Sequence, residues 1–94
     1  MKHEGLVDVW VSDHARTRGR ERCPGFKAAR IVDEVRAALR EGRVAARKPE
    51  WIRGYHGLDA ECLYTWTANG ERCYPIKAVD NGFTVLTTIA KECP

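Results

Sequence analysis

Ser12-Asp13-His14-Ala15-Arg16-Thr17-Arg18-Gly19-Arg20-Glu21-Arg22 sets one imidazole among four arginines. Ser12 or Asp13 is suited to cap a helix, and the spacing predicts that helix over 13–22. On it His14, Arg18 and Arg22 fall at i, i+4 and i+8 and share one face. An imidazole passes protons near neutral pH, and a guanidinium grips phosphate oxygens in a two-point fork. One face with both is what phosphodiester chemistry or plain phosphate binding needs. A solvated basic helix with an incidental histidine has the same pattern. Gly19 costs the helix about 1 kcal/mol relative to Ala.

Upstream, Val7, Val9 and Val11 alternate with Leu6, Asp8 and Trp10, which predicts a strand over 6–12. Downstream, Cys23-Pro24-Gly25 breaks the helix. A second helix is expected over 26–41, where Ala28, Ile31, Val32, Val35, Ala38 and Leu39 make one apolar stripe and Gly42 stops it. Its charges are assigned no active-site role. Residues 43–60 are irregular: 43–48 reads as a short strand, Pro49 interrupts it, and 51–57 reads as a strand or a loop. Arg47, Lys48, Trp51, Arg53, Tyr55 and His56 interleave charge with rings there. Such interleaving suits base stacking and phosphate contact, and it equally suits the cover of a small core.

The last third reads as a meander. Strands are expected over 61–68, 72–79 and 83–90, with turns at Asn69-Gly70 and Asp80-Asn81-Gly82. Pro75 argues for an edge position or a bulge. The β-branched density of 83–90 suits a central strand. The chain is therefore read as a single α+β domain over 1–94, order β-α-α-β-β-β-β, with two N-terminal helices on one face of a mainly antiparallel sheet.

Charge is uneven. Residues 1–53 carry 13 Lys/Arg against 8 Asp/Glu, a balance of +5, and residues 54–94 carry 3 against 5, a balance of −2. The first half is thus the half that faces an anion. No apolar run approaches the roughly 20 residues of a membrane span, and no signal-peptide pattern opens the chain, so a cytoplasmic protein with no membrane partner is expected. Cys23, Cys62, Cys73 and Cys93 form no Cys-x-x-Cys pair and have no histidine at zinc-knuckle spacing. Reduced thiols without metal or other cofactor are expected, and an even count leaves disulfides open.

The layout, with Ser12, His14, Ala15, Arg18 and Arg22 directly after the first strand, resembles the RelE-like members of the barnase–EndoU–colicin–RelE superfamily. It is most similar to a small branch that opens with Ser-x-His-Ala-x-x-Arg-x-x-x-Arg and ends in a valine-rich strand carrying a Thr, here Thr84-Val85-Leu86-Thr87-Thr88. The resemblance implies a RelE/barnase-like fold. It also implies an RNA or ribosome target, metal-independent ribonuclease activity of the toxin kind, and neutralisation by an antitoxin protein. In such chemistry a base takes the 2′-OH proton, cationic donors hold the charged phosphorane, and an acid protonates the leaving 5′-oxygen. His14 is the expected proton-transfer group and Arg18 and Arg22 the phosphate holders. Thr87 or Thr88 is a hydrogen-bond donor and His56 a second acid or base. Arg16, Arg20, Arg47, Lys48, Trp51, Arg53 and Tyr55 are the expected nucleic-acid-binding residues. Two other classes use the same basic face: a nucleic-acid-binding module without catalysis, and an interaction domain that inhibits a host protein.

Overall fold

The computed structural model describes residues 8–23, 25–52 and 62–90, with the Arg22 side chain left out. The elements run β1 (Asp8–Val11), α1 (Asp13–Arg22), α2 (Ala28–Glu41), β2 (Val44–Ala45), β3 (Leu63–Trp66), β4 (Arg72–Val79), β5 (Gly82–Val85) and β6 (Ile89–Ala90). The described strands make one sheet, ordered β1-β5-β4-β3-β2, with β6 alongside β4. This is the α+β class expected. The parts of the expected strands at 6–7 and 61, and all of 53–60, lie outside the described residues.

Helix α1 starts where Ser12 turns extended and its Oγ accepts from the Ala15 amide at 3.0 Å. Helix α2 ends at Gly42, whose φ of 81° is the left-handed conformation that favours glycine at a helix stop. It begins at Ala28, two residues later than the apolar pattern suggested. Phe26 is spent instead on the core, where it packs with Ala15, Ile31, Val35, Tyr74, Ile76 and Val85. Each fully buried Ile or Val contributes on the order of 2 kcal/mol.

The sheet carries two features that the expected mainly antiparallel layout did not specify. The β1–β5 pair is parallel, with Val9 opposite Phe83 and Val11 opposite Val85. The chain leaves β1 through both helices and returns only after the β3–β4–β5 hairpins, so no tight turn dictates the direction of that pairing.

The expected strand over 83–90 is two strands, β5 and β6, both against β4. Ile76 pairs with Val85 but Cys73 pairs with Ile89, so Tyr74 and Pro75 stand opposite the three residues 86–88. The extra residue is a bulge. Pro75 explains it: lying in a central strand, it has no N–H for that neighbour, while its carbonyl accepts from Leu86 at 2.8 Å. Of the two positions expected for Pro75, the bulge is the one found.

Candidate nucleic-acid interface

The bulge is what fastens α1 to the sheet. The Ser12 amide donates to the Val85 carbonyl and its hydroxyl to that of Leu86, each at 3.2 Å, and Thr88 Oγ1 donates to the Ala15 carbonyl at 2.9 Å. Ser12, Ala15 and Thr88 therefore serve the fold. Thr88 is only 3% exposed with its hydroxyl already donated, and Thr87 is 6% exposed. Both residues expected as hydrogen-bond donors, Thr87 and Thr88, are thus buried in the described structure.

Only Ala15 and Gly19 of α1 are buried among its described side chains. With about 100° between successive residues, His14 and Arg18 line one flank of that seam and Arg16 and Arg20 the other, roughly 160° apart. The first flank is open to solvent. His14 is exposed with no side-chain partner among the described residues, and Arg18 Nη1 reaches Glu21 at 3.2 Å on the surface. Arg22 continues the row by helical position.

The second flank borders a cavity of about 360 Å³ between α1 and the start of α2, lined by Arg16, Arg20, Gly25, Phe26, Lys27, Ala28 and Ile31. No acidic residue lines it among the described residues. Arg16 also pairs with the exposed Asp13, whereas Arg20 and Lys27 have no side-chain partner among the described residues. Lys27 is the N-cap of α2 without a side-chain cap bond, and the first turn holds no acid. The Ala28 and Ala29 amides thus remain available as donors.

Under the cavity lies a polar cluster that sequence reasoning passed over. Glu34 of α2 accepts from Arg72 Nε and Nη2 at 3.0 and 2.7 Å, from Arg30 Nε at 3.1 Å, and from the Tyr74 hydroxyl. The Arg30 and Arg72 guanidiniums sit 5.2 and 5.4 Å from the centre of the Phe26 ring. Burial pushes the Glu34 carboxyl up, but the bonds from Arg72, Tyr74 and Arg30 outweigh it and hold it below the usual carboxylate value. Burial, and after it the bond to Glu34, pushes the Tyr74 hydroxyl well up. The available signal was Glu34 at the edge of the apolar stripe of α2, on the same turn as Ile31 and Val35.

The remaining candidates are dispersed. Exposed Arg47 and Lys48 follow β2, at the sheet edge opposite β1, and four inter-strand steps put those edges roughly 19 Å apart. Trp51 is half-buried beside the buried Ile52. Arg53, Tyr55 and His56 lie outside the described residues.

The expectation of four reduced cysteines is corrected at Cys23, which is disulfide-bonded. Cys62 and Cys73 are buried free thiols, so the partner of Cys23 falls outside the described residues. Spacing along the chain says nothing about which cysteines the fold brings together. Among the described residues no cluster of metal-ligating side chains is present, and no helix is long and apolar enough to cross a membrane. No protein-family model, curated protein or solved structure matches the chain.

Proposed function

We propose that this protein binds RNA through the cationic surface of α1, and that His14 supplies proton transfer for metal-independent cleavage of the bound strand, as in the RelE-like domains it resembles. The make-up of α1 carries this reading. Among its described side chains the helix buries only Ala15 and Gly19, and it exposes Arg18 beside the His14 imidazole on one flank and Arg16 and Arg20 on the other. The guanidiniums hold backbone phosphates. His14 takes the proton from a 2′-OH, and the 2′-oxygen attacks phosphorus to form a 2′,3′-cyclic phosphate. The P–O5′ bond breaks as the protonated His14 returns the proton, through water, to the leaving 5′-oxygen.

The test is incubation of RNA with the purified protein in excess chelator across a salt series. Three phosphate contacts at about −0.7 each predict a slope near −2 in log affinity against log salt, about a hundredfold loss per tenfold rise in salt. His14→Ala is expected to abolish cleavage and leave binding nearly intact, and Arg18→Ala to weaken both. RNA that remains unbound at low salt overturns the reading. The same surface would then be assigned to an acidic protein partner.

A further inference from the structure

We infer that the cavity between α1 and the start of α2 is a subsite for one nucleotide, with its phosphate on Arg16, Arg20 and Lys27 and its sugar and base over Phe26, Ala28 and Ile31. This rests on the RNA-binding reading and adds where on the domain a single unit of the strand is held. At about 360 Å³ the cavity lies at the small end of the range for ligand sites, the size of one nucleotide and not of several.

The lining has two kinds of surface. Three cations without an acid among them select an anion, and the uncapped first turn of α2 adds backbone donors at Ala28 and Ala29. Gly25, Ala28 and the small accessible edges of the buried Phe26 and Ile31 give the rest of the wall no hydrogen-bonding side chain, so a small inorganic anion would leave that wall empty. A ligand with one anionic end and one weakly polar body fills both halves, and a nucleoside monophosphate is such a molecule.

The floor is preformed. Phe26 lies against the guanidiniums of Arg30 and Arg72, and Glu34 holds both, Arg30 from its own helix and Arg72 from β4. On the α1 side, a Cβ built on Gly19 would fall 2.8 Å from the Phe26 ring, so the ring is seated directly against the helix backbone. The floor therefore adds little ordering cost, and what remains lies in the cationic side chains.

Calorimetric titration with adenosine 5′-monophosphate, inorganic phosphate and adenosine, beside a short RNA, tests the assignment on the wild type, Ala28→Glu and Arg20→Gln. Ala28→Glu sets a carboxylate in the lining, and an acid in the first turn favours the helix, so the fold is retained. Arg20→Gln removes a side chain with no partner among the described residues. The monophosphate is expected to bind at least tenfold more tightly than phosphate or adenosine, and to weaken at least tenfold in either variant. Equal affinity for monophosphate and phosphate, or unchanged affinity in both variants, overturns the subsite. RNA binding that survives Ala28→Glu unchanged while the monophosphate fails to bind overturns the subsite alone and leaves the RNA reading standing. Monophosphate binding that Ala28→Glu abolishes, without any RNA binding, sustains the subsite and ends the RNA reading.

Discussion

The Glu34 carboxylate on α2 clasps the Arg72 guanidinium of β4 at two points, accepting from Nε at 3.0 Å and from Nη2 at 2.7 Å. The Arg72 side chain is 8% exposed and that of Glu34 20%. The pair joins helix to sheet beside Phe26, so the floor of the cavity and one polar tie between α2 and β4 depend on the same contact.

Breaking that contact leaves a buried charge without its partner. Arg72→Ala is expected to cost about 3 kcal/mol, the low end for a buried pair because Glu34 keeps some solvent. Because Glu34 stays ionised to lower pH in the folded protein than in the unfolded chain, its stabilisation is complete above the ordinary glutamate value of 4.5. It is lost as pH falls through the lowered folded value, since the unfolded chain then binds the proton first. Urea midpoints measured between pH 7 and 3 should show that decline. Glu34→Gln should start lower at pH 7 and lose less on acidification. Parallel curves for the two proteins would refute the linkage.

Gly19→Ala sets two effects against each other. Alanine improves helix propensity by about 1 kcal/mol, but its Cβ would lie 2.8 and 3.2 Å from two carbons of the Phe26 ring. Phe26 cannot retreat, since Arg30 and Arg72 sit against it, and overpacking of this kind costs about 2 kcal/mol. A net loss of about 1 kcal/mol is expected, a fall of roughly 5 °C in Tm for a domain of this size. A rise in Tm would show that the ring gives way.

Gly82→Ala probes the parallel pair. The added Cβ would lie 2.0 Å from the Asp8 carbonyl oxygen, so β1 must move away from β5. The expected cost is about 3 kcal/mol. Amide exchange should quicken along Asp8–Val11 before it does along β3 and β4, and uniform loss of protection would contradict a local effect.

The cysteines should separate by chemistry. Burial, and after it the neighbouring Cys62, pushes the Cys73 thiol up to about 12, so the thiolate is scarce at neutral pH. Alkylation of the folded, unreduced protein followed by peptide mass mapping should leave Cys62 and Cys73 unlabelled and Cys23 in a disulfide. Denaturant without reductant should then expose Cys62 and Cys73 while Cys23 stays protected. Labelling of Cys23 without reductant would contradict the disulfide.

The elements of this fold were legible in the sequence because each has a local cause. Valine alternation makes β1, Ser12 caps α1, the Ile31–Val35–Ala38 stripe makes α2 and Gly42 ends it. Thr67-Ala68-Asn69-Gly70 turns β3 into β4, with Gly70 at φ 72°. The cations and the histidine of α1 were legible for the same reason, since their flanks follow from residue spacing on one helix.

Tertiary packing alone decided the rest. The parallel β1–β5 pair joins residues some 74 apart, Asp8 and Gly82 among them, and no turn between them encodes its direction. Pro75 announced a bulge or an edge, but only its place between β3 and β5 selected the bulge and so brought Thr88 beneath Ala15. Arg16, Arg20 and Lys27 meet at one cavity because Phe26 left the expected helix to fill the space beside Gly19. Glu34, one of the α2 charges to which the helix pattern assigned no role, is a half-buried partner of Arg72 because β4 passes beneath it. Local periodicity is set by neighbours a few residues apart, whereas these contacts are set by which distant surfaces exclude water together, and that carries no signature at either end.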